Sequence, residues 1–374
     1  MRKIEMVDLR SQYQRLKPQM DAALQQVLDS AAFINGQVVQ EFARSLADYL
    51  GAGYVIPCAN GTDALQIALM ALELQPGDEV ICPSFTYFAT VEVVALLGLT
   101  PVFVDVNPRT FNVEAEAVEK AISRRTKAII PVHLYGQSCD MDPFLELSRQ
   151  SGIPLVEDNA QAIGAEYFFA DGRKAKTGTM GTIGCTSFFP SKNLGCYGDG
   201  GALITNDAAL AEKLRMVANH GQSRRYYHDL IGVNSRLDSL QAAVLLVKLP
   251  HLDDFIRRRR AAADFYDAAF KDNPYLTIPY RSPYSFHVFH QYTLIAKEGR
   301  DDLVRFLHSR QVPAMIYYPV LCHEQKAFAG KGRVAGDLPH SHWLSERVLS
   351  LPMHTELDEE QLQYIADSVN EFFA

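Results

Sequence analysis

The 374-residue sequence has no apolar run long enough to span a bilayer, and residues 1 to 12 are polar rather than leader-like. The expected location is therefore the cytoplasm, with no membrane partner. Basic charge is also in short supply, since 36 Lys and Arg stand against 44 Asp and Glu for a net charge of −8. That balance excludes nucleic acid as the main partner, because a phosphate backbone needs a basic face. The one basic run, Arg257 to Arg260, falls inside a helical pattern and reads as a solvated face. The six cysteines (Cys58, Cys82, Cys139, Cys185, Cys196, Cys322) include no C-x-x-C pair. They read as reduced, small core residues, and no metal centre is expected. Two glycine signatures are missing as well. No G-x-x-x-x-G-K-[ST] occurs, and the glycines between Gly195 and Gly201 lead into a strand instead of joining strand to helix. Kinases, ATPases and NAD enzymes are disfavoured by those absences. Internal repeats and low-complexity tracts are absent too.

What is present is an alternation of short apolar runs with helical patterns from Tyr54 to Asp207, the mark of βα units in a mostly parallel sheet. Strands are predicted at 54–58, 79–82, 101–105, 127–132, 154–157, 184–188 and 201–205. Helices are predicted at 63–74, 87–97, 113–122, 141–151, 237–250 and 253–270. Beyond that the texture changes, with a strand over 290–296, an amphipathic helix over 300–310 and an extended segment over 312–319. The chain length and this change imply two domains, a large one over 1–249 and a smaller C-terminal α+β one over 250–374.

In open α/β sheets ligands bind beyond the carboxyl ends of the strands, so polar residues that follow apolar runs draw notice. Three such places occur. Asn60-Gly61-Thr62 links a strand to a helix whose free N–H groups suit a phosphate, although an ordinary N-cap explains the same residues. Asp158 ends a buried strand, where a carboxylate is costly unless it meets a cation such as a pyridinium nitrogen; a turn-forming Asp is the plainer alternative. Lys192 follows Phe188-Phe189 between Ser187 and the glycines, where apolar surroundings can lower an amine's pKa and make it a nucleophile. A solvated loop lysine is the competing explanation.

Taken in order, Ala59-Asn-Gly-Thr-Asp-Ala-Leu65, Pro83-Ser-Phe-Thr-Tyr87, Glu157-Asp-Asn-Ala-Gln161, Ser187-Phe-Phe-Pro-Ser-Lys-Asn-Leu-Gly195 and Gly232-Val-Asn-Ser-Arg-Leu-Asp238 resemble the DegT/DnrJ/EryC1/StrS family of nucleotide-sugar aminotransferases. The resemblance covers most of the chain. It implies the aspartate aminotransferase fold type I and pyridoxal 5'-phosphate as cofactor. Lys192 then matches the lysine that forms the Schiff base and shuttles the proton. Asp158 matches the partner of the pyridine nitrogen, Gln161 the amide near the phenolic oxygen, and Tyr87 the ring that stacks on the cofactor. Gly61, Thr62 and Ser187 match the phosphate cup. Asn234 matches an asparagine that reaches the phosphate of a neighbouring subunit, which implies a homodimer with shared active sites. The substrates implied are L-glutamate and a keto-sugar nucleotide.

More narrowly, Cys185 to Gly201 and His220 to His228 look most like aminotransferases acting on UDP-2-acetamido-2-deoxy-3-oxo-D-glucuronate in routes to surface polysaccharide, including O-antigen. Residues matching Ser191, Arg236, Tyr317 and Tyr318 line the sugar site there, and the segment around Phe33 faces the sugar. Arginine's planar fork suits a uronate carboxylate. Two positions depart from the family pattern: Tyr317-Tyr318-Pro319 stands for the usual His-Tyr-Pro, and Phe33 for a more usual tyrosine. Other readings are an aminotransferase for a different keto-sugar nucleotide, a sugar dehydratase, which has histidine where Lys192 stands, and a non-catalytic regulator on the same fold.

Overall fold

A computed structural model describes residues 2–374. Seven strands build the body of the central sheet, β1 (Tyr54–Cys58), β2 (Glu79–Pro83), β3 (Thr100–Val104), β4 (Thr126–Ile129), β5 (Val156–Asp158), β6 (Ile183–Ser187) and β7 (Gly201–Thr205), and the short Arg333–Val334 adds an eighth in parallel at the β3 edge. Strand β2 pairs in parallel with β3 and β4, and β5 with β6. Parallel bridges Ile129↔Leu155 and Val132↔Asp158 join the two halves, while β7 runs antiparallel between β1 and β6. The order is thus β1-β7-β6-β5-β4-β2-β3, a mostly parallel α/β sheet. Every residue of β2, β6 and β7 is buried, as expected when helices cover both faces of a sheet. This is why those strands read as continuous apolar runs rather than as alternating patterns.

Four helices belong to the first hundred residues: α1 (Leu9–Ser30), α2 (Gln37–Leu50), α3 (Gly61–Ala71) and α4 (Ala89–Leu96). The first two carry no sequence expectation, and α1 explains why. Among its 22 residues only Leu16, Met20 and Val27 are buried, and Pro18 lies inside it. So thin an apolar stripe with an internal proline does not announce a helix. It forms because it packs, with α2, on the helix Ser239–Lys248.

A second core belongs to the C-terminal part. There Leu276–Thr277, Tyr292–Ala296 and Val348–Leu351 form an antiparallel sheet, packed by helices Arg300–Ser309 and Glu359–Phe372. The N-terminal Ile4 enters this same core, and Arg2 pairs with Asp358. Helix Leu252–Phe270 spans the two parts. Its Leu252, Phe255 and Ile256 pack with the large sheet's helices, and its Ala263, Tyr266 and Phe270 with the C-terminal core.

Candidate active site

The carboxyl ends of β2, β5 and β6 place their following residues along one edge of the sheet. Asp158, the last residue of β5, is 5% exposed. Its Oδ2 accepts from Thr90 Oγ1 at 2.8 Å, and its Oδ1 from the Ala160 amide at 3.1 Å. Burial raises its pKa, against the pull of those two bonds and of the Lys192 charge. Among the described residues no basic side chain forms an ion pair with it, so the Lys192 charge, acting without direct contact, offsets only part of the desolvation cost. Beside it, Glu157 is a structural post. Burial pushes its pKa up, but His133 and the Gly181 and Gly178 amides outweigh that and hold it low. Because the Cys139 amide donates to His133 Nδ1, the ring proton sits on Nε2 and is given to Glu157 Oε2 at 2.8 Å.

Lys192 lies in a tight loop after β6. Phe188 O accepts from the Cys196 amide at 2.8 Å, and Phe189 O from the Lys192 amide at 2.8 Å. A Cβ on Gly195 would stand 2.3 Å from Pro190 O, so only glycine lets this loop close. Its carbonyl takes a 2.7 Å bond from Lys248, itself 1% exposed and held over the Tyr197 ring at 4.4 Å. Burial lowers the Lys192 ammonium to about 8, with the Asp158 charge opposing. An amine of that kind is available as a nucleophile and base near neutral pH.

The third component is the α3 N-terminus. Asn60 caps the helix by accepting from the Asp63 amide at 2.8 Å, which leaves the first-turn N–H groups of Gly61 and Thr62 without intrahelical partners. Ser187, ending β6, abuts this turn. A Cβ on Gly61 would lie 2.7 Å from Ser187 Cβ, and one on Gly201 only 2.4 Å from Asn60 O. The glycines that end the Lys192 loop are therefore fitted against the turn, which answers what that run does.

Gln161 spends its Oε1 on the Tyr135 amide at 2.8 Å and its Nε2 on the Tyr318 hydroxyl at 2.9 Å. Tyr318 brings the extended 312–319 segment into the site, with its ring 6.2 Å from that of Tyr87 and 5.9 Å from that of Tyr317. Tyr135 donates its hydroxyl to Tyr317 O. Ser191 is partly buried beside Lys192. The structure thus gathers Asp158, Gln161, Lys192, Tyr87, Tyr317, Tyr318 and Ser191, with Gly61, Thr62 and Ser187 next to them.

Three expected residues lie on an adjoining strip, whose Ser235 Oγ accepts from the Ala59 amide at 3.0 Å just ahead of the Asn60-Gly61-Thr62 turn. Ser239 N donates to Phe33 O, and Ile34 bridges Asp238, which puts Phe33 on one strip with Asn234 and Arg236. Arg236 lines a cleft of about 470 Å³ with Asn35, Arg44 and Arg215, a cleft containing none of the residues around Lys192. Asn234 is exposed. Thr90, Tyr135, His133 and Lys248 support the site without having been expected. Only Lys248, a cation in an otherwise apolar stretch of helix, left a trace in the sequence.

The chemistry of the donor set fits a phosphorylated pyridine aldehyde. The buried carboxylate forms no ion pair among the described residues, the lysine is desolvated, and the glycine-lined helix start is open to an anion. Comparisons point the same way. Residues 14–370 match the DegT/DnrJ/EryC1/StrS aminotransferase family. A pleiotropic regulatory protein of Geobacillus stearothermophilus is 45% identical over 99% of this chain and 98% of its own. A UDP-2-acetamido-2-deoxy-3-oxo-D-glucuronate aminotransferase of Pseudomonas aeruginosa is 46% identical over 97% and 98%. A UDP-N-acetyl-3-dehydro-alpha-D-glucosamine 3-aminotransferase of Acidithiobacillus ferrooxidans is likewise 46% identical, over 97% and 96%. The crystal structure of a DegT DnrJ EryC1 StrS aminotransferase from Brucella abortus superposes with a TM-score of 0.94 at 41% identity, covering 99% of both chains.

Proposed function

The chain belongs to the DegT/DnrJ/EryC1/StrS aminotransferase family, whose members are pyridoxal 5'-phosphate-dependent sugar-nucleotide aminotransferases, and from that premise we propose that it moves the amino group of L-glutamate onto UDP-2-acetamido-2-deoxy-3-oxo-D-glucuronate. The observation that carries the chemistry is the Lys192 amine, its pKa lowered by burial, within electrostatic reach of the buried Asp158 carboxylate. Bound between them, pyridoxal phosphate would supply an electron-withdrawing ring able to stabilise negative charge on the carbon that bears the amine. Asp158, fixed by Thr90 and the Ala160 amide, holds a proton on the pyridine nitrogen. Lys192 would hold the cofactor, and its amine, lowered toward neutral pH, would take and return the proton at the substrate carbon. Gly61, Thr62 and Ser187 hold the phosphate. Tyr87 would pack against the ring, and Gln161, tied to Tyr318, would orient it.

For the acceptor, Arg236 reads the uronate carboxylate, and Phe33, Ser191, Tyr317 and Tyr318 border the sugar. Support comes from the charge of the Arg236 cleft, which has three arginines and no acid among its lining residues. A neutral 3-keto UDP-sugar is the second reading, favoured by the equally similar Acidithiobacillus ferrooxidans relative. A homodimer supports both, because Tyr226 and Ile231, in the segment leading to Asn234, are 77% and 88% exposed, as befits side chains covered by a second copy. Asn234 of one protomer then completes the phosphate site of the other. We place the enzyme in the cytoplasm, supplying an amino sugar for surface polysaccharide such as O-antigen. A purely regulatory protein has no use for a desolvated lysine facing a buried carboxylate. The test is to incubate the purified protein with glutamate and each keto-sugar nucleotide while following 2-oxoglutarate. Protein that takes up no pyridoxal phosphate and forms no 2-oxoglutarate would refute the reading.

A further inference from the structure

Outside the Lys192 cleft, three metal-ligating side chains converge from segments far apart in the sequence. His323 and Glu324 belong to the short turn Cys322–Glu324, and His342 to the seven-residue helix Pro339–Ser345. One ligand atom from each lies within 4.8 Å of the others. His342 Nδ1 is 3.5 Å from Glu324 Oε1. Zinc bonds of about 2.0–2.1 Å in a tetrahedron space the ligands about 3.4 Å apart, so this edge already has coordination spacing. The remainder closes by rotation of Glu324 and His342, both exposed.

The corner at His323 is fixed. Its Nδ1 lies 2.7 Å from Ser84 Oγ, and Ser84 is fully buried. A partner on one ring nitrogen sets the orientation of a ligating histidine and leaves the other nitrogen for the metal. Both ligand-bearing segments are also tied to adjacent strand ends. After β2, Ser84 O accepts from the Cys322 amide at 3.0 Å, and Thr86 O from Cys322 Sγ at 3.4 Å. After β3, Asp105 accepts from the amides of His340 and Ser341 and from Ser341 Oγ, at 3.0, 2.8 and 2.6 Å. The segments that carry the donors are thus held in place, and only the Glu324 and His342 side chains have to turn toward an ion.

We propose that His323, Glu324 and His342 bind a divalent transition-metal ion of the zinc class, with water completing the coordination. Two imidazoles and one carboxylate favour zinc over magnesium or calcium, which take oxygen donors. The ion clamps the 322–324 turn to the 339–345 helix. It therefore braces the 84–86 segment leading to Tyr87 and the stretch that follows Tyr318. This site is independent of the amino-transfer reading and stands or falls separately from it.

The test uses the untagged protein as purified, in chelator-free and phosphate-free buffer, titrated with Zn2+ by calorimetry and with Co2+ by visible absorption. One ion per chain is expected, with a Co2+ band typical of four or five ligands. His342→Ala and Glu324→Gln should each weaken binding at least about tenfold. Ser84→Ala, which removes no ligand, should weaken it by about 10–100-fold. His340→Ala, on the same helix but outside the trio, should bind as the unmodified protein does. Absence of stoichiometric binding at micromolar Zn2+, unchanged affinity in His342→Ala, or a loss in His340→Ala equal to that in His342→Ala would each overturn the proposal.

Discussion

Replacing Lys192 with methionine should make the cofactor-free protein more stable, by an amount that depends on pH. Burial lowers this ammonium from its ordinary 10.5 to about 8. At about 1.4 kcal/mol per pKa unit, the gap corresponds to ~3 kcal/mol of disfavour for the charged form in the folded state. The unfolded chain keeps its proton up to the ordinary value, whereas the folded chain gives it up near 8. Between the two, the unfolded state binds more protons, so stability rises with pH. The penalty is complete below about 8 and gone above about 10.5. Lys192→Met removes the charge while keeping much of the length. The expected gain near pH 7 is ~3 kcal/mol, because the opposing attraction to Asp158 is already contained in the shift. It should shrink steadily toward pH 9.5. Urea midpoints of the two cofactor-free proteins across that range provide the assay, and taking their difference cancels the thiols and phenols that titrate nearby. A variant less stable at pH 7, or a gain that does not change with pH, would refute the claim that the amine is desolvated. The same substitution should abolish turnover, since a group that costs stability and is still indispensable marks a functional site.

Other substitutions probe neighbouring parts of the site. Gly61→Ala places a Cβ 2.7 Å from Ser187 Cβ and should weaken pyridoxal phosphate binding at least about tenfold by spectroscopic titration, and unchanged affinity would count against the assigned phosphate cup. Thr90→Val removes the 2.8 Å donor to Asp158 and should cost about 1.5–3 kcal/mol in stability together with much of the activity, while Thr90→Ser keeps both. If Val and Ser behaved alike, the hydroxyl would have no role. Arg236→Ala should reduce kcat/KM for the uronate acceptor about 10–100-fold and leave the neutral 3-keto sugar nearly unaffected. Equal losses on both acceptors would remove the carboxylate contact.

The large sheet was legible because its strands are buried on both faces and punctuated by polar turns, so β1, β6 and β7 fall where their apolar runs predict. Lys192 and Asp158 were legible for a related reason: charge at the end of an apolar strand is costly enough to stand out. α1 was hidden, because its stability comes from docking on Ser239–Lys248 rather than from a strong periodic stripe, whereas α2 buries Val39, Phe42, Leu46 and Leu50 at helical spacing and was open to being read. Thr90, Tyr135 and Ser84 were hidden more deeply. Each acts through one hydrogen bond to a residue distant in the chain, and a threonine, tyrosine or serine carries no mark of such a bond in its own neighbourhood. The His323, Glu324 and His342 cluster escaped for the same reason, since its spacing follows no local ligand pattern and arises only when β2 and β3 lie side by side. Arg236 and Asn234 show the reverse case. Their matches were plain in the sequence, and the fold sets them on the strip beside the Asn60 turn, with Arg236 lining a cleft of its own.

The central claim is amino transfer from glutamate to a 3-keto uronate sugar nucleotide through Lys192. The most direct measurement supplies 15N-labelled L-glutamate and UDP-2-acetamido-2-deoxy-3-oxo-D-glucuronate to the purified enzyme and follows the label by mass spectrometry. The account predicts 15N in the sugar nucleotide, an equal amount of 2-oxoglutarate, and neither product with Lys192→Ala. Label transfer by Lys192→Ala, or transfer by the unmodified enzyme to the neutral 3-keto sugar but not to the uronate, would contradict it.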